Sequence, residues 1–130
     1  MVVQYQTSDN QYLIIVGENA KENDKIRQEA SQNDLWFHLE DVSSPHVILK
    51  PNNSSSSSSS FPAQAIYYAG VLCKAYSKQK ATQTSSVIYA PRKSVKTVKE
   101  IDGRVEVKGH VEKMKVYRDD TIKETLKKVV

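Results

Sequence analysis

Apolar and polar positions alternate along Leu35-Trp36-Phe37-His38-Leu39-Glu40. This period of two assigns Leu35, Phe37 and Leu39 to one sheet face and Trp36, His38 and Glu40 to the other. The first set is plain core, whereas the second mixes an indole, an imidazole and a carboxylate. Asp41-Val42-Ser43-Ser44-Pro45 interrupts the pattern, because Pro45 has no amide hydrogen to give and drives Ser44 into an extended or turn conformation. His46 to Lys50 then resumes as an aliphatic, β-branched strand that stops at Pro51. Strand, turn, strand is the unit around which the rest is arranged.

Upstream, Val2–Gln6 and Tyr12–Val16 flank Thr7-Ser8-Asp9-Asn10, residues that turn the backbone with their own side chains, and predict a hairpin. Gly17 ends the second strand. Asn19 to Ser31 has helical composition with Ile26 as its one branched aliphatic residue, a weakly amphipathic surface helix. Downstream, residues 51–60, with the run Ser54 to Ser60, bury nothing and are expected to be a disordered linker inside the domain. Pro62 suits a first helical turn, and a helix is expected from there to about Gln79. Its stripe of Ala65, Ile66, Ala69, Leu72, Cys73 and Tyr76 should pack on the sheet.

Ser86 to Ala90 predicts a further strand stopped by Pro91, followed by a basic, β-prone segment from Arg92 to Lys99. Arg104–Lys108 and Lys113–Tyr117 flank Gly109-His110-Val111-Glu112 and predict a second hairpin. In it Val105, Val107, Met114 and Val116 would face the core, and Arg104, Lys108, Lys113, Lys115 and Tyr117 would face out. Asp119-Asp120 is expected to cap a last helix with an apolar seam of Ile122, Leu126 and Val129. No stop signal follows it, so residues 119–130 read as the start of a C-terminal helix leading into the coiled coil of a longer protein. The expected fold is α+β. Residues 1–118 form a single domain, with a central mostly antiparallel or mixed β-sheet, two main helices and a C-terminal helix.

Composition narrows the function. In 130 residues a single cysteine, Cys73, excludes an internal disulfide, and no apolar run of about 18 residues suggests a membrane span. The first residues lack a signal peptide's basic and apolar regions, so a cytoplasmic, or else nuclear, location is expected. The net charge of +4 is unevenly distributed: residues 1–50 hold four Lys or Arg against eight Asp or Glu, residues 78–118 eleven against four. That asymmetry points to a polyanion. Arg92, Lys93, Lys96, Arg104, Lys108, Lys113 and Lys115 are the candidate phosphate contacts. Tyr117, Trp36 and Tyr89 are available to stack on bases.

A second class of function is a metal-dependent hydrolase or nuclease using His38 and His46 with Asp34 or Asp41, since the parity of the strands could bring both imidazoles to one face. Against it, the chain has no nucleophile elbow, phosphate loop or His-Glu-x-x-His spacing, and buried histidines anchoring the turn explain the same residues. Asp34, Asn19 and Asn23 would join them in one polar network. Cys73 reads as a small buried hydrophobe. No catalytic residue, metal or cofactor is assigned. A third class is a scaffold dimerising through the terminal helix, which a heptad repeat beyond it would mark.

Three blocks resemble the NFACT-R family, the RNA-binding module found at the carboxy terminus of RqcH and NEMF. They are Gly17-Glu18-Asn19-Ala20-Lys21-Glu22-Asn23-Asp24, then Asp34-Leu35-Trp36-Phe37-His38 with His46-Val47-Ile48, then Tyr89-Ala90-Pro91-Arg92-Lys93-Ser94-Val95-Lys96. The resemblance covers most of residues 12 to 108 and makes Gly17, Asn19, Asn23, Asp24, Asp34, Trp36, His38 and His46 motif positions, structural or binding. Ser43-Ser44-Pro45 stands where the family often has Pro-Gly-Ser. Met1 opens directly on the module, as in the short eukaryotic branch, where a charged coiled coil follows. The resemblance implies RNA binding, to tRNA or ribosomal RNA, with ribosome or translation partners. It does not carry over the chain-tailing role of the large members, and DNA stays open as a ligand.

Overall fold

The structure, a computed structural model, describes residues 2–7, 11–40, 44–51, 61–97, 105–107, 109 and 111–129. Val3–Gln6 (β1) and Tyr12–Val16 (β2) form the expected antiparallel hairpin, Val3 opposite Val16. Helix Ala20–Glu29 (α1) leads to Leu35–Leu39 (β3), which pairs with Val47–Pro51 (β4), Trp36 opposite Ile48. Strand β4 in turn lies against β2, with Ile14 opposite Leu49. Helix Ala63–Ala75 (α2) crosses the sheet to deliver Thr84–Pro91 (β5) to the other side of β3, Phe37 opposite Tyr89.

After a 3-10 turn at Arg92–Ser94, Val95–Thr97 (β6) and Val105–Val107 (β7) pair as a separate two-stranded ribbon. Glu112–Tyr117 (β8) returns to the large sheet beside β5. A one-turn helix, Ile122–Thr125 (α3), precedes Lys127–Lys128 (β9), which pairs with β1. The large sheet thus has seven antiparallel strands in the order β8-β5-β3-β4-β2-β1-β9. The fold is α+β, and β3 and β4 stand at its centre, as the alternation implied.

The two faces carry two cores. Phe37, Leu39, Val47 and Leu49 pack under Ala65, Ala69, Leu72 and Cys73 of α2. On the reverse face Trp36 and Ile48 pack with Ile26 of α1 and Val95 of β6. Gly70 is what lets α2 approach so closely, because a Cβ there would collide with Met114 and Val116 of β8.

Three expectations need correction. Helix α2 ends at Ala75, short of Gln79. The side chain of Lys74 folds under the following loop, where Nζ donates to the carbonyls of Gln79 (2.6 Å) and Thr82, and Ser77 Oγ donates to Lys74 O (2.7 Å). The hairpin expected between residues 104–108 and 113–117 does not form: β7 pairs with β6 and β8 with β5. The apolar positions of the two segments serve different cores. Val107 packs with the Trp36 core and Val116 with the α2 core, and Gly109, at φ 84°, turns the chain between sheets. The C-terminal helix is limited to four residues. Ile122 and Leu126 insert into the main core, and the open edge of β1 takes up β9, with Val129 N donating to Gln4 O at 2.8 Å. The apolar seam is used within the domain, and Val129 lies 48 % exposed. The Ser54–Ser60 run lies outside the described residues.

Candidate nucleic-acid interface

The first motif block builds a corner that fixes the start of β4. Asn19 is the N-cap of α1: its extended backbone presents Oδ1 to Glu22 N at 2.9 Å, satisfying one of the helix's unpartnered amides. One turn on, buried Asn23 accepts His46 N through Oδ1 at 3.0 Å, while Gly17 N donates to His46 O at 3.0 Å. Both backbone groups of His46 are therefore held from one side. A Cβ on Gly17 would overlap Asn23 Oδ1, which explains the glycine. Asp24 Oδ1 accepts from the buried Arg27 Nη1 at 2.8 Å. Asp34 works at the other end of α1, where Oδ2 accepts Ser31 N at 2.9 Å and Lys50 Nζ stands 3.9 Å away. Burial raises the pKa of its carboxyl.

Continuing the register of Trp36 with Ile48 and Phe37 with Val47 puts His38 opposite His46, on the face of Trp36. The three rings form a cluster. Trp36 stacks on His38 with centroids 5.7 Å apart, and His46 meets both edge-on, at 5.4 Å from each. Trp36 and His46 are each 2 % exposed, so the indole is core and out of reach of a base. His38 is half-buried. Its Nδ1 lies 2.6 Å from Leu39 O, an acceptor only, so Nδ1 carries the proton and the neutral ring keeps Nε2 as an acceptor. Burial lowers the pKa of this imidazole, outweighing that hydrogen bond. Among the described residues no group of three or more His, Cys, Asp or Glu could hold a metal ion, and Asp41 lies outside them. Cys73 is fully buried near Pro45 O, and its thiol is pushed up to about 12, which leaves it unreactive.

The same face continues outward from this corner. Register across β3, β5 and β8 aligns His38, Ile88 and Lys113 in one row. A hydrogen bond from Glu40 N to Ser86 O starts the next, which Lys115 completes. Tyr117 follows opposite Thr84. Beyond the part covered by α1 and the β6–β7 ribbon, Ser86, Lys113, Lys115 and Tyr117 are exposed, Tyr117 by 54 %. Lys113 Nζ is paired with Glu40 Oε2, Lys115 Nζ sits 5.8 Å from the Tyr117 ring centroid, and Tyr117 N donates to Tyr67 OH at 3.3 Å. Residues two apart on a strand are separated by about 6.7 Å, so the strip offers two cations and a π-face in a straight run.

Of the other candidates, Lys93 and Lys96 are exposed, on the 3-10 turn and on β6. Arg92 is a brace. Its Nε donates to Arg27 O at 2.6 Å and its backbone N to Asp34 O at 2.7 Å, tying the turn to the end of α1. Tyr89 stacks on Phe37, centroids 5.3 Å apart, and so faces α2, away from the strip. Arg104 and Lys108 lie outside the described residues. The sequence reading put Glu40 on this face without linking it to Lys113, and it missed Ser86. Glu40 shares parity with Trp36 and His38, and that was signal enough to place it on this face.

These features define a small α+β module with a rigid ring corner and an open cationic strand on one sheet face. The chain belongs to the family described as NFACT protein RNA binding domain, whose model matches residues 1–111. It is 35 % identical over 49 residues to the Rqc2 homolog RqcH of Streptococcus suis (strain 05ZYH33), a match covering 37 % of this chain and 9 % of that protein. The solved C-terminal part of the fibronectin/fibrinogen-binding protein from Streptococcus suis shares the fold, with a TM-score of 0.83 at 21 % identity. That likeness covers 96 % of this chain and 48 % of the other, so the chain spans about half the length of that structure.

Proposed function

We propose that the domain is a non-catalytic nucleic-acid-binding module whose ligand is RNA, tRNA or ribosomal RNA, in a cytoplasmic translation or ribosome quality-control setting. The observation that carries this is the exposed Lys113–Lys115–Tyr117 strip, which pairs phosphate-seeking charge with an aromatic face on a rigid strand. Family membership supports RNA over DNA, and the likeness to RqcH supports the ribosomal setting. Lys93 and Lys96 extend the cationic surface. Trp36, His38 and His46 hold the strip's scaffold in place and do not touch ligand.

The test is a titration of single-stranded, hairpin and duplex RNA, and matched DNA, at several salt concentrations. Lys113→Glu with Lys115→Glu should weaken RNA binding at least about tenfold at physiological salt. The slope of log affinity against log salt should flatten by about one and a half to two units. Unchanged affinity and slope in a folded variant would refute the reading, and tighter binding of DNA than RNA would change the ligand.

A further inference from the structure

On the opposite side of the sheet from the strip, the C-terminal turns of α2, the loop after it and the segment from Arg118 to Lys123 enclose a pocket of about 340 Å³. That lies within the range of small-ligand sites. Four cations line it: Lys74, Lys80, Arg118 and Lys123. Lys74 is 1 % exposed, and its ammonium is satisfied by the carbonyls of Gln79 and Thr82 and the hydroxyl of Thr82 (3.1 Å), all neutral groups. Among the described residues no carboxylate is within ion-pair distance of it. A buried ammonium with no carboxylate in contact leaves positive charge beside the pocket, although burial and the neighbouring Arg118 lower its pKa.

The two carboxylates in the lining do not cancel the four cations. Asp119 Oδ1 already accepts Thr121 N at 2.9 Å and Thr121 Oγ1 at 2.8 Å, and Asp120, 75 % exposed, is held by Arg118 Nε at 2.9 Å. Water screens the second. The floor is apolar, made by Val71, Ala75 and Ile122, with Val71 and Ile122 at 1 % and 2 % exposure. An inorganic anion would use the rim and leave this floor unmatched. A small apolar molecule would leave the cations unmatched.

We propose that this pocket binds a nucleoside monophosphate, free or as the phosphorylated end of a strand. The phosphate would lie among Lys80, Arg118 and Lys123, over the field of Lys74, and the nucleoside against Ala75 and the aliphatic stems of Lys80 and Lys123, backed by the buried Val71 and Ile122. A net excess of two positive charges, four cations less two carboxylates, matches a phosphate monoester. The proposal goes beyond RNA binding by the strip, because Met114 and Val116 of β8 face α2 while Lys113 and Lys115 face the other way.

The experiment follows backbone amide shifts of the isotope-labelled chain during titration with AMP, adenosine or inorganic phosphate. The expected result is saturable shifts with AMP confined to residues 71–75, 80–81 and 118–123, with adenosine and phosphate each at least about tenfold weaker. Lys80→Glu with Lys123→Glu, both exposed positions, should weaken AMP by at least about tenfold, with spectral changes otherwise limited to the surroundings of Tyr76, whose ring Lys123 Nζ faces at 4.5 Å. A 5′-phosphorylated oligoribonucleotide that shifts these residues where its 5′-hydroxyl counterpart does not marks a strand end as the source. Shifts with AMP alone mark a free mononucleotide. No pocket shifts at about 10 mM AMP, phosphate as effective as AMP, or unchanged binding by the double variant would overturn the proposal. Repeating the AMP titration with Lys113→Glu, Lys115→Glu protein separates the two readings, since the pocket should respond as before even if the strip binds no RNA.

Discussion

Two ends of one sheet face behave in opposite ways. At the β4–β3 end, Trp36 is roofed by α1 and the β6–β7 ribbon, His38 and His46 lie against its ring, and the backbone of His46 is clamped by Gly17 and Asn23. Two strands away, Lys113, Lys115 and Tyr117 stand in solvent, Lys113 paired with Glu40 and Lys115 near the Tyr117 ring. Both ends mix polar and aromatic residues, and in sequence both suggest a site. What separates them is cover. Where a second layer closes over the face, a histidine or tryptophan becomes a packing and hydrogen-bonding element. Where the layer stops, the same strand geometry leaves charges at the surface, within reach of a ligand.

The sharpest way to break this contrast is Trp36→Ala. Emptying a 2 % exposed indole site should destabilise the domain by about 3–5 kcal/mol, seen as a large fall in the denaturant midpoint. RNA affinity per folded molecule should be unchanged; a variant that stays equally stable yet loses RNA would place the indole in the ligand site. Next comes Asn23→Ala, which strips the acceptor from the buried amide of His46 and should cost about 1–3 kcal/mol, again without weakening RNA binding below the melting temperature. The Gly17 to Asn23 motif would then be a folding device.

How far the sequence could show this division depends on which signals are local. Alternation in β3 assigned both faces correctly, since every polar or apolar choice there is made by burial on one side. The stripe on α2 was legible for the same reason. Partner choice was not: Val105–Val107 and Glu112–Tyr117 look like two arms of a hairpin, and nothing in either says that Val95 is the nearer partner. The end of α2 was misplaced because Lys74, whose charge suggests a surface position, is buried under a loop that supplies carbonyls. Arg92 was read from its charge alone, and the bond from its Nε to Arg27 O, which ties the turn to α1, has no signal in the sequence.

Acidification probes the closed end alone. Burial holds the His38 pKa below its ordinary 6.5, so the unfolded chain binds this proton more tightly than the folded one. The stability tied to the neutral ring is full above about pH 6.5 and is lost as pH falls from there through the lowered folded value. The groups facing this ring are His46 beside it, Lys113 in the same row and Glu40 two residues on. Melting temperature should drop by roughly a few degrees between pH 7.5 and 5.5. In His38→Phe, which keeps the stack on Trp36, that drop should shrink. Asp34, whose pKa is raised, acts in the opposite sense above 3.8 and is common to both proteins, so the difference between the two pH curves isolates His38.

The smallest effect lies at the boundary between the two ends. Glu40 is on β3's ring-bearing parity, yet its carboxylate reaches out to Lys113, whose side chain is 63 % exposed. An exposed pair of this kind contributes only about 0.2–1 kcal/mol, so Glu40→Gln should leave the melting temperature almost unchanged. For RNA the consequence differs. The carboxylate competes with phosphate for the ammonium, so removing its charge should tighten binding by about two- to fivefold at low salt, the gain fading as salt screens it. Combining Glu40→Gln with Lys113→Gln should abolish the gain, because the competitor matters only through the lysine it holds. If Glu40→Gln weakened binding instead, the ion pair would be positioning Lys113 for its phosphate, and the open end of the face would be more preorganised than its exposure suggests.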